Sequence, residues 1–377
     1  MKNILYIANW NQNEETGVFK KIKGQIKAMK NLGNNVSYIA TKDKEIYLNE
    51  NNTSKFIKKC SSNKIVKQIQ IINENIKFIR KNNNIDFIYM RYMFSTPQVI
   101  RLFKIAKKKN IRIVEEIPTY PYDSEMKNGN RLDLKLALKV DKHYRKKLKK
   151  YVDNIATFSD DDEIFGIRTI KIENGIDVDN VETLDVNLKT NEINMIAVSV
   201  LEYWQGYDRI IKSLKDYYDS KKNDEIVINL HIVGDGTERE KLEKMTKEYK
   251  LENNITFYGF LSGKELDDVY KKCQCGIAGL GIFRKGISNA RTLKIREYTA
   301  RAIPFVYSTN DDSIKNFKYA YKVSDDEQAI DLRKIIEFLN GLENTQIKND
   351  MREFASKNYK WEPQMEKVLN TKETKSK

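Results

Sequence analysis

Segments of strand and helix character alternate along this chain in two consecutive series, and that order admits few folds. In the first series, apolar runs at residues 4–8, 36–40, 85–90, 111–115 and 154–158 read as strands. Stripes at helical spacing lie between them: Phe19, Ile22, Ile26, Met29 and Leu32 ahead of a C-cap Gly33, then residues 64–81, 96–109 and 132–151. A turn at Glu173-Asn-Gly-Ile-Asp177 and a polar stretch to about residue 192 read as a linker. The second series has strands at residues 193–200, 226–233, 255–258, 275–278 and 305–307. Helices at 207–218, 237–250 and 263–272 and one ahead of Pro304 alternate with them, and amphipathic stretches at 326–340 and 345–359 follow. The charged tail beyond Asn370 is expected to lack fixed structure. Such alternation implies parallel sheets with right-handed crossovers. A length of 377 residues exceeds what one core supports, so two domains are expected. They are drawn at residues 1–185 and 186–359, with a C-terminal helix near 360–372 returning to the first. The predicted fold class is α/β: two Rossmann-like domains facing across a cleft where strand ends converge.

Composition narrows the functions. No run of 18 apolar residues is present, so a spanning helix is not expected, and the first residues turn polar too soon for a signal peptide. Cys60, Cys273 and Cys275 are too few and too badly spaced for a disulfide framework or a zinc site, which points to a reducing compartment. The net charge of +15 is carried mostly by Lys, and Lys, Asn and Ile are abundant throughout, so part of it is compositional. The most basic stretch, residues 139–150, reads either as a solvated helix face or as a face for anionic lipid headgroups. Basic residues are not interleaved with aromatics, which argues against nucleic acid as a partner.

Several loops could hold a ligand. Gly279-Leu-Gly-Ile-Phe-Arg-Lys-Gly286 leads to Arg291-Thr-Leu-Lys-Ile-Arg-Glu-Tyr298, a polar loop running into a helix start that favours anions. Lys294 and Glu297, three apart, share a helix face: a cation for phosphate beside a carboxylate for sugar hydroxyls. An ordinary charged surface helix is the plainer reading. Gly206 follows the first strand of the second series, and Val233-Gly-Asp-Gly236 ends the second strand in a tight turn. In the first series, Gly17 opens a helix and Tyr120 lies in a stiff loop, Ile117-Pro-Thr-Tyr-Pro-Tyr122, suited to a sugar ring. Glu115, Glu116 and Asp123 are the carboxylates nearby. Glu116 reads either as a cleft carboxylate or as a strand-end carboxylate paired with a lysine. Ser159 followed by Asp160, Asp161 and Asp162 reads as an N-cap and acidic first turn, with metal binding as the minor alternative.

The stretch from Gly279 to Val306 resembles the donor-binding signature of family 4, the group 1 branch of the GT-B glycosyltransferases. Trp204-Gln-Gly-Tyr-Asp-Arg209, Val233-Gly-Asp-Gly236 and Tyr258-Gly-Phe-Leu261 extend the resemblance. It implies a GT-B fold and a retaining hexosyltransferase, taking sugar from a nucleoside diphosphate sugar, a UDP-sugar by preference. The acceptor would be a hydroxyl on a glycan, lipid-linked or protein-linked molecule, in bacterial surface polysaccharide or glycoconjugate synthesis. No metal or other cofactor would be required. The enzyme would be cytoplasmic, at or near the inner face of the membrane, with possible contact with anionic lipid. Lys294, Arg284 and Glu116 would be catalytic. Gly17, Tyr120, Gly206, Gly234, Gly259, Phe260, Lys285, Asn289, Arg291, Thr292, Leu293 and Glu297 would line the substrates. Three positions depart from the family pattern: Val200 and Gln205 stand where a diphosphate-binding Arg and Lys are common, and Asn289 where a Glu is. A non-catalytic partner subunit, a sugar-nucleotide epimerase and a basic membrane-surface binder remain as alternatives.

Overall fold

Short apolar runs rich in Ile, Val and Tyr form strands wherever both faces of a sheet can be covered by helices. This holds in both units of the chain, seen in a computed structural model that describes residues 1–13, 16–122, 132–222, 224–287 and 289–371. Asp123 and nearly all of the charged tail lie outside the described residues. One unit comprises residues 1–173 and 361–377, the other 174–360.

The first unit contains β1 (Asn3–Asn11), α1 (Gly17–Asn31), β2 (Asn35–Lys42), β3 (Glu45–Glu50), β4 (Thr53–Lys59), α2 (Lys64–Lys81) and β5 (Phe87–Arg91). These are followed by α3 (Pro97–Lys108), β6 (Arg112–Ile117), α4 (Leu132–Tyr144), β7 (Asn154–Thr157), β8 (Glu163–Ile164) and β9 (Ile167–Lys171). The sheet order is β4-β3-β2-β1-β5-β6-β7-β9-β8, parallel from β2 to β9 and antiparallel at both margins. Three elements differ from the sequence reading. An antiparallel hairpin, β3–β4, follows β2; its turn uses Asn51 and Asn52 at φ 49° and 59°. Two adjacent positive-φ residues are what a tight hairpin turn requires. The helix expected to reach residue 151 ends at Tyr144 and tightens into a 3-10 turn, Arg145–Lys150. The helix expected after Ser159 is absent: Asp160, Asp161 and Asp162 lead into the β8–β9 hairpin, whose turn has Phe165 and Gly166 at positive φ.

The second unit contains β10 (Glu192–Val198), α5 (Tyr207–Ser220), β11 (Val227–Val233), α6 (Arg239–Glu248), β12 (Ile255–Gly259), α7 (Gly263–Tyr270) and β13 (Cys275–Ile277). Then come α8 (Leu293–Arg301), β14 (Phe305–Tyr307), β15 (Ala320–Lys322), α9 (Leu332–Asn340) and α10 (Asn344–Asn358). The last helix, α11 (Trp361–Asn370), belongs to the first unit, where its Trp361, Met365, Val368 and Leu369 join the core beside α1. The second sheet is parallel throughout, in the order β12-β11-β10-β13-β14-β15. Numbered within the unit this is 3-2-1-4-5-6, the doubly wound Rossmann order. The order in which strands are added reverses between β10 and β13, the kind of switch point at which such sheets commonly take a ligand. The fold is α/β of the GT-B class.

Candidate active site

The loops after β10 and β13 meet at this reversal, and glycine makes the meeting possible. Gly206 has φ 70°, and a Cβ on it would lie 2.5 Å from the Gly281 nitrogen. A second close approach ties in β11: Gly234 has φ 132°, and its Cβ would lie 1.8 Å from the Ser199 carbonyl oxygen. Side chains are excluded from both places, so backbone stacks on backbone. The amides of Ser199 and Leu201 donate to the carbonyls of Val233 and Asp235 at 3.0 and 2.9 Å, fixing the loop after β10. Leu280 N donates to the Gln205 carbonyl at 2.8 Å, fixing the loop after β13 to the first. Arg209, buried, adds a hydrogen bond to the Leu280 carbonyl at 2.5 Å.

Helix α8 begins beside this junction. Its N-cap Thr292 makes no side-chain cap, and Thr292 Oγ1 is buried without a partner among the described residues. The first amides of α8 are therefore left open to an anion. Lys294, in the first turn, donates to Gln205 Oε1 and to the Tyr207 hydroxyl, the latter at 3.2 Å. Its ammonium lies 5.4 Å from the centre of the Tyr207 ring. No carboxylate pairs with it among the described residues. Burial alone pushes its pKa down to about 7.

The neighbouring cations are already engaged. Arg284 forms a two-point pair with Asp208 at 2.8 and 2.9 Å and another with Glu327 at 2.8 and 2.7 Å. It also donates to the Tyr203 carbonyl at 2.6 Å. The hydrogen bonds to Glu327 and Asp208 raise its pKa still further. Its donors are thus spent on clamping the loop after β13 to that after β10. Arg296 is fully buried against Asp311 at 2.5 Å, with its guanidinium 4.4 Å from the Tyr359 ring centre. Lys285 sits 4.8 Å from the ring centre of Trp204. Among the described residues no group of acidic, His or Cys side chains could hold a metal ion.

The structure draws Gly206, Gly234, Arg284, Lys285, Thr292, Leu293 and Lys294 around the junction. Gly259, at the end of β12, accepts from Gly234 N at 2.7 Å, and Phe260 beyond it is 63% exposed. Glu297 lies one turn along α8, paired with Arg301 at 3.1 Å. Asn289 forms a parallel bridge with Asn310, and the Arg291 carbonyl accepts from Asn174 at 2.7 Å. Gly17, Tyr120 and Glu116 belong to the first unit. Gly17 opens α1 at the surface; Tyr120 is half-buried, its ring 5.8 Å from that of Phe165. Glu116 is 0% exposed. It accepts from Gln25, Tyr89 and Arg91 at 2.6 Å each, with Lys21 at 3.2 Å. Of its two readings, the geometry is that of a strand-end carboxylate paired with a lysine. Sequence reasoning missed Gln205 and Tyr207 as the partners of Lys294, and Asp208 as the partner of Arg284. The sole signal was the position of all three beside Gly206, at the start of α5.

Residues 182–349 match the family described as glycosyl transferases group 1. The second unit is a group 1 glycosyltransferase domain. The matched stretch falls inside this unit and contains the junction of Gly206, Gly234 and Lys294. The whole chain is similar in fold to sucrose-phosphate synthase from Thermosynechococcus elongatus: 12% identity, 98% of each chain, TM-score 0.68. It is similar also to the catalytic domain of starch synthase IV from Arabidopsis thaliana bound to ADP and acarbose: 11% identity, 98% of each chain, TM-score 0.65. A third likeness is to a trehalose-6-phosphate protein from E. coli bound with UDP-2-fluoro glucose: 12% identity, 98% of each chain, TM-score 0.62. At such identities the likeness shows the glycosyltransferase fold alone. No curated protein matches the chain.

Proposed function

We propose that this glycosyltransferase takes a sugar from a nucleoside diphosphate sugar and passes it, with retention, to an acceptor hydroxyl. One observation carries the donor assignment: among the described residues Lys294 is an ammonium without a carboxylate partner, beside a helix start without a side-chain cap. A desolvated cation with only neutral partners is held at a cost that an anionic ligand removes. A diphosphate fits, since its oxygens can take both the ammonium and the open amides of α8. Two fold neighbours hold ADP and a UDP-sugar respectively, which supports a nucleoside diphosphate here; we favour uridine.

In the reaction, Lys294 stabilises charge growing on the leaving diphosphate. Such preorganised charge is commonly worth on the order of 3 kcal/mol per group. Glu297 shares its carboxylate between Arg301 and the ribose hydroxyls. The leaving phosphate itself takes the proton of the incoming hydroxyl, so no protein base is needed and no metal enters. The acceptor is a glycan, lipid-linked or protein-linked hydroxyl of surface polysaccharide or glycoconjugate synthesis, taken by the first unit. The exposed Lys146, Lys149 and Lys150 offer anionic headgroups a peripheral contact at the inner face of a membrane. No helix among the described residues is long and apolar enough to cross one.

Calorimetric titration with UDP-, ADP- and GDP-sugars, with and without chelator, tests this reading. One nucleotide should bind regardless of chelator, and Lys294→Gln should weaken it tenfold or more, about 1.4 kcal/mol. Equal affinity in the variant, or no binding by wild type, overturns the donor assignment. Binding without turnover of any acceptor would leave a non-catalytic partner subunit.

A further inference from the structure

We propose that Gln205 is a positioning residue, present to hold the Lys294 ammonium in a socket that carries no charge of its own. The inference rests on the donor reading above and deepens it.

The socket has two hydrogen-bonding walls. One is Gln205 Oε1, which accepts from Lys294; the other is the Tyr207 hydroxyl at 3.2 Å, with the Tyr207 ring beneath the ammonium at 5.4 Å. Both are neutral, and Tyr207 is 2% exposed, so the group has little freedom to turn away. Gln205 is itself fixed in place. Its amide donates to the Glu202 carbonyl at 2.8 Å, its carbonyl accepts from Leu280 N at 2.8 Å, and Gly206 is wedged against Gly281. The backbone that carries the Gln205 side chain is thus held at a set place beside Lys294.

A carboxylate is close at hand in sequence and is withheld. Asp208 lies next after Tyr207, but both its oxygens are taken by Arg284 at 2.8 and 2.9 Å. The loop and the start of α5 thus supply Lys294 with hydrogen-bond acceptors, while the neighbouring carboxylates are engaged elsewhere: Asp208 by Arg284, Glu202 by Thr237 and Glu297 by Arg301. A glutamate at position 205 would accept the same hydrogen bond and neutralise the ammonium. An amide orients it and leaves its charge for the ligand.

Three variants separate orientation from charge, each titrated with the nucleotide sugar that wild type binds. Gln205→Ala should weaken binding about tenfold, because the ammonium loses its aim. Gln205→Glu should weaken it at least as much, although it keeps the hydrogen bond and should not lower the melting temperature. The exchange Gln205→Lys with Lys294→Gln moves the cation to the other end of the same hydrogen bond. It should bind within about tenfold of wild type, where Lys294→Gln alone does not. If Gln205→Ala and Gln205→Glu both bind like wild type while Lys294→Gln loses affinity, the positioning role is overturned and the donor reading stands. If Lys294→Gln also binds like wild type, the donor reading itself has failed.

Discussion

Each unit encloses a lysine in a polar knot, and the two knots are built to opposite plans. In the first unit Lys21 faces Glu116, which also receives Arg91, Tyr89 and Gln25. Burial works to raise the Glu116 carboxyl, but the Lys21 and Arg91 charges and the Tyr89 and Gln25 hydrogen bonds outweigh it and hold it at about 2. In the second unit Lys294 meets only an amide oxygen and a phenol. The first knot is complete and the second lacks an anion. Buried charge that is matched on the spot serves the fold, whereas a half-buried charge left unmatched points to a ligand.

The largest effect should follow from breaking the complete knot. Glu116→Gln leaves Lys21 and Arg91 buried without their counter-charge and should cost about 3–5 kcal/mol, read from denaturant unfolding. Because the folded carboxyl titrates below its unfolded value near 4.5, its contribution is present above pH 4.5 and lost as pH falls toward 2. Unchanged stability in Glu116→Gln would erase the contrast between the knots.

How much of this was legible beforehand follows the range of the contacts involved. Five strands of the second sheet, β10 to β14, are short, mostly apolar runs flanked in sequence by helices, and these were read from the sequence. Strand β15 is a three-residue segment, Ala320–Lys322, with only intermediate or exposed side chains, and carries no apolar run to see. The β3–β4 hairpin hides because β4, an exposed edge strand, is mostly Lys, Ser and Thr around the single apolar pair Phe56-Ile57; the Asn51-Asn52 turn was the available clue. Acidic residues after Ser159 suit a helix start in isolation, but β9 offers β8 a pairing edge and the hairpin forms instead. The site shows the same division. Glycines and the α8 start are local features. The capture of Arg284 by Asp208 and Glu327 spans 76 and 43 residues, and the Gln205–Lys294 bond spans 89. Position 205 therefore reads as a missing cation in sequence and as a socket wall in three dimensions.

A pH series separates the knots at the next level of effect, with two readouts of opposite sign. Burial lowers Lys294 from 10.5 to about 7, so between those values the native state binds fewer protons than the unfolded one. Stability should therefore rise with pH across that window. Burial also lowers Lys21, against the pull of Glu116, so the Lys294 share is read as wild type minus Lys294→Gln. Affinity should run the other way. A nucleotide sugar, whose diphosphate has no group titrating near neutrality, should bind evenly below pH 7. Above it, binding should weaken by up to tenfold per pH unit as the ammonium is lost. Flat affinity in wild type from pH 6 to 9 would show that the ammonium does not meet the diphosphate.

The smallest effect concerns Arg284, which resembles Glu116 in being satisfied and Lys294 in lying at the junction. Its two carboxylates differ in burial: the Asp208 side chain is 13% exposed and that of Glu327 59%. Burial works to raise the Asp208 carboxyl, and Arg284 more than offsets it. Asp208→Asn should therefore cost about 1.5–3 kcal/mol, the range for hydrogen bonds to a charged group. Glu327→Gln, in solvent, should cost about 1 kcal/mol or less. Nucleotide-sugar affinity in Glu327→Gln is the sharper reading. If Arg284 is a clamp, releasing one carboxylate leaves it held by Asp208 and the Tyr203 carbonyl, and affinity stays as in wild type. A gain in affinity would mean that Glu327 competes with the diphosphate for Arg284, and the unmatched charge of the second unit would then be two residues rather than one.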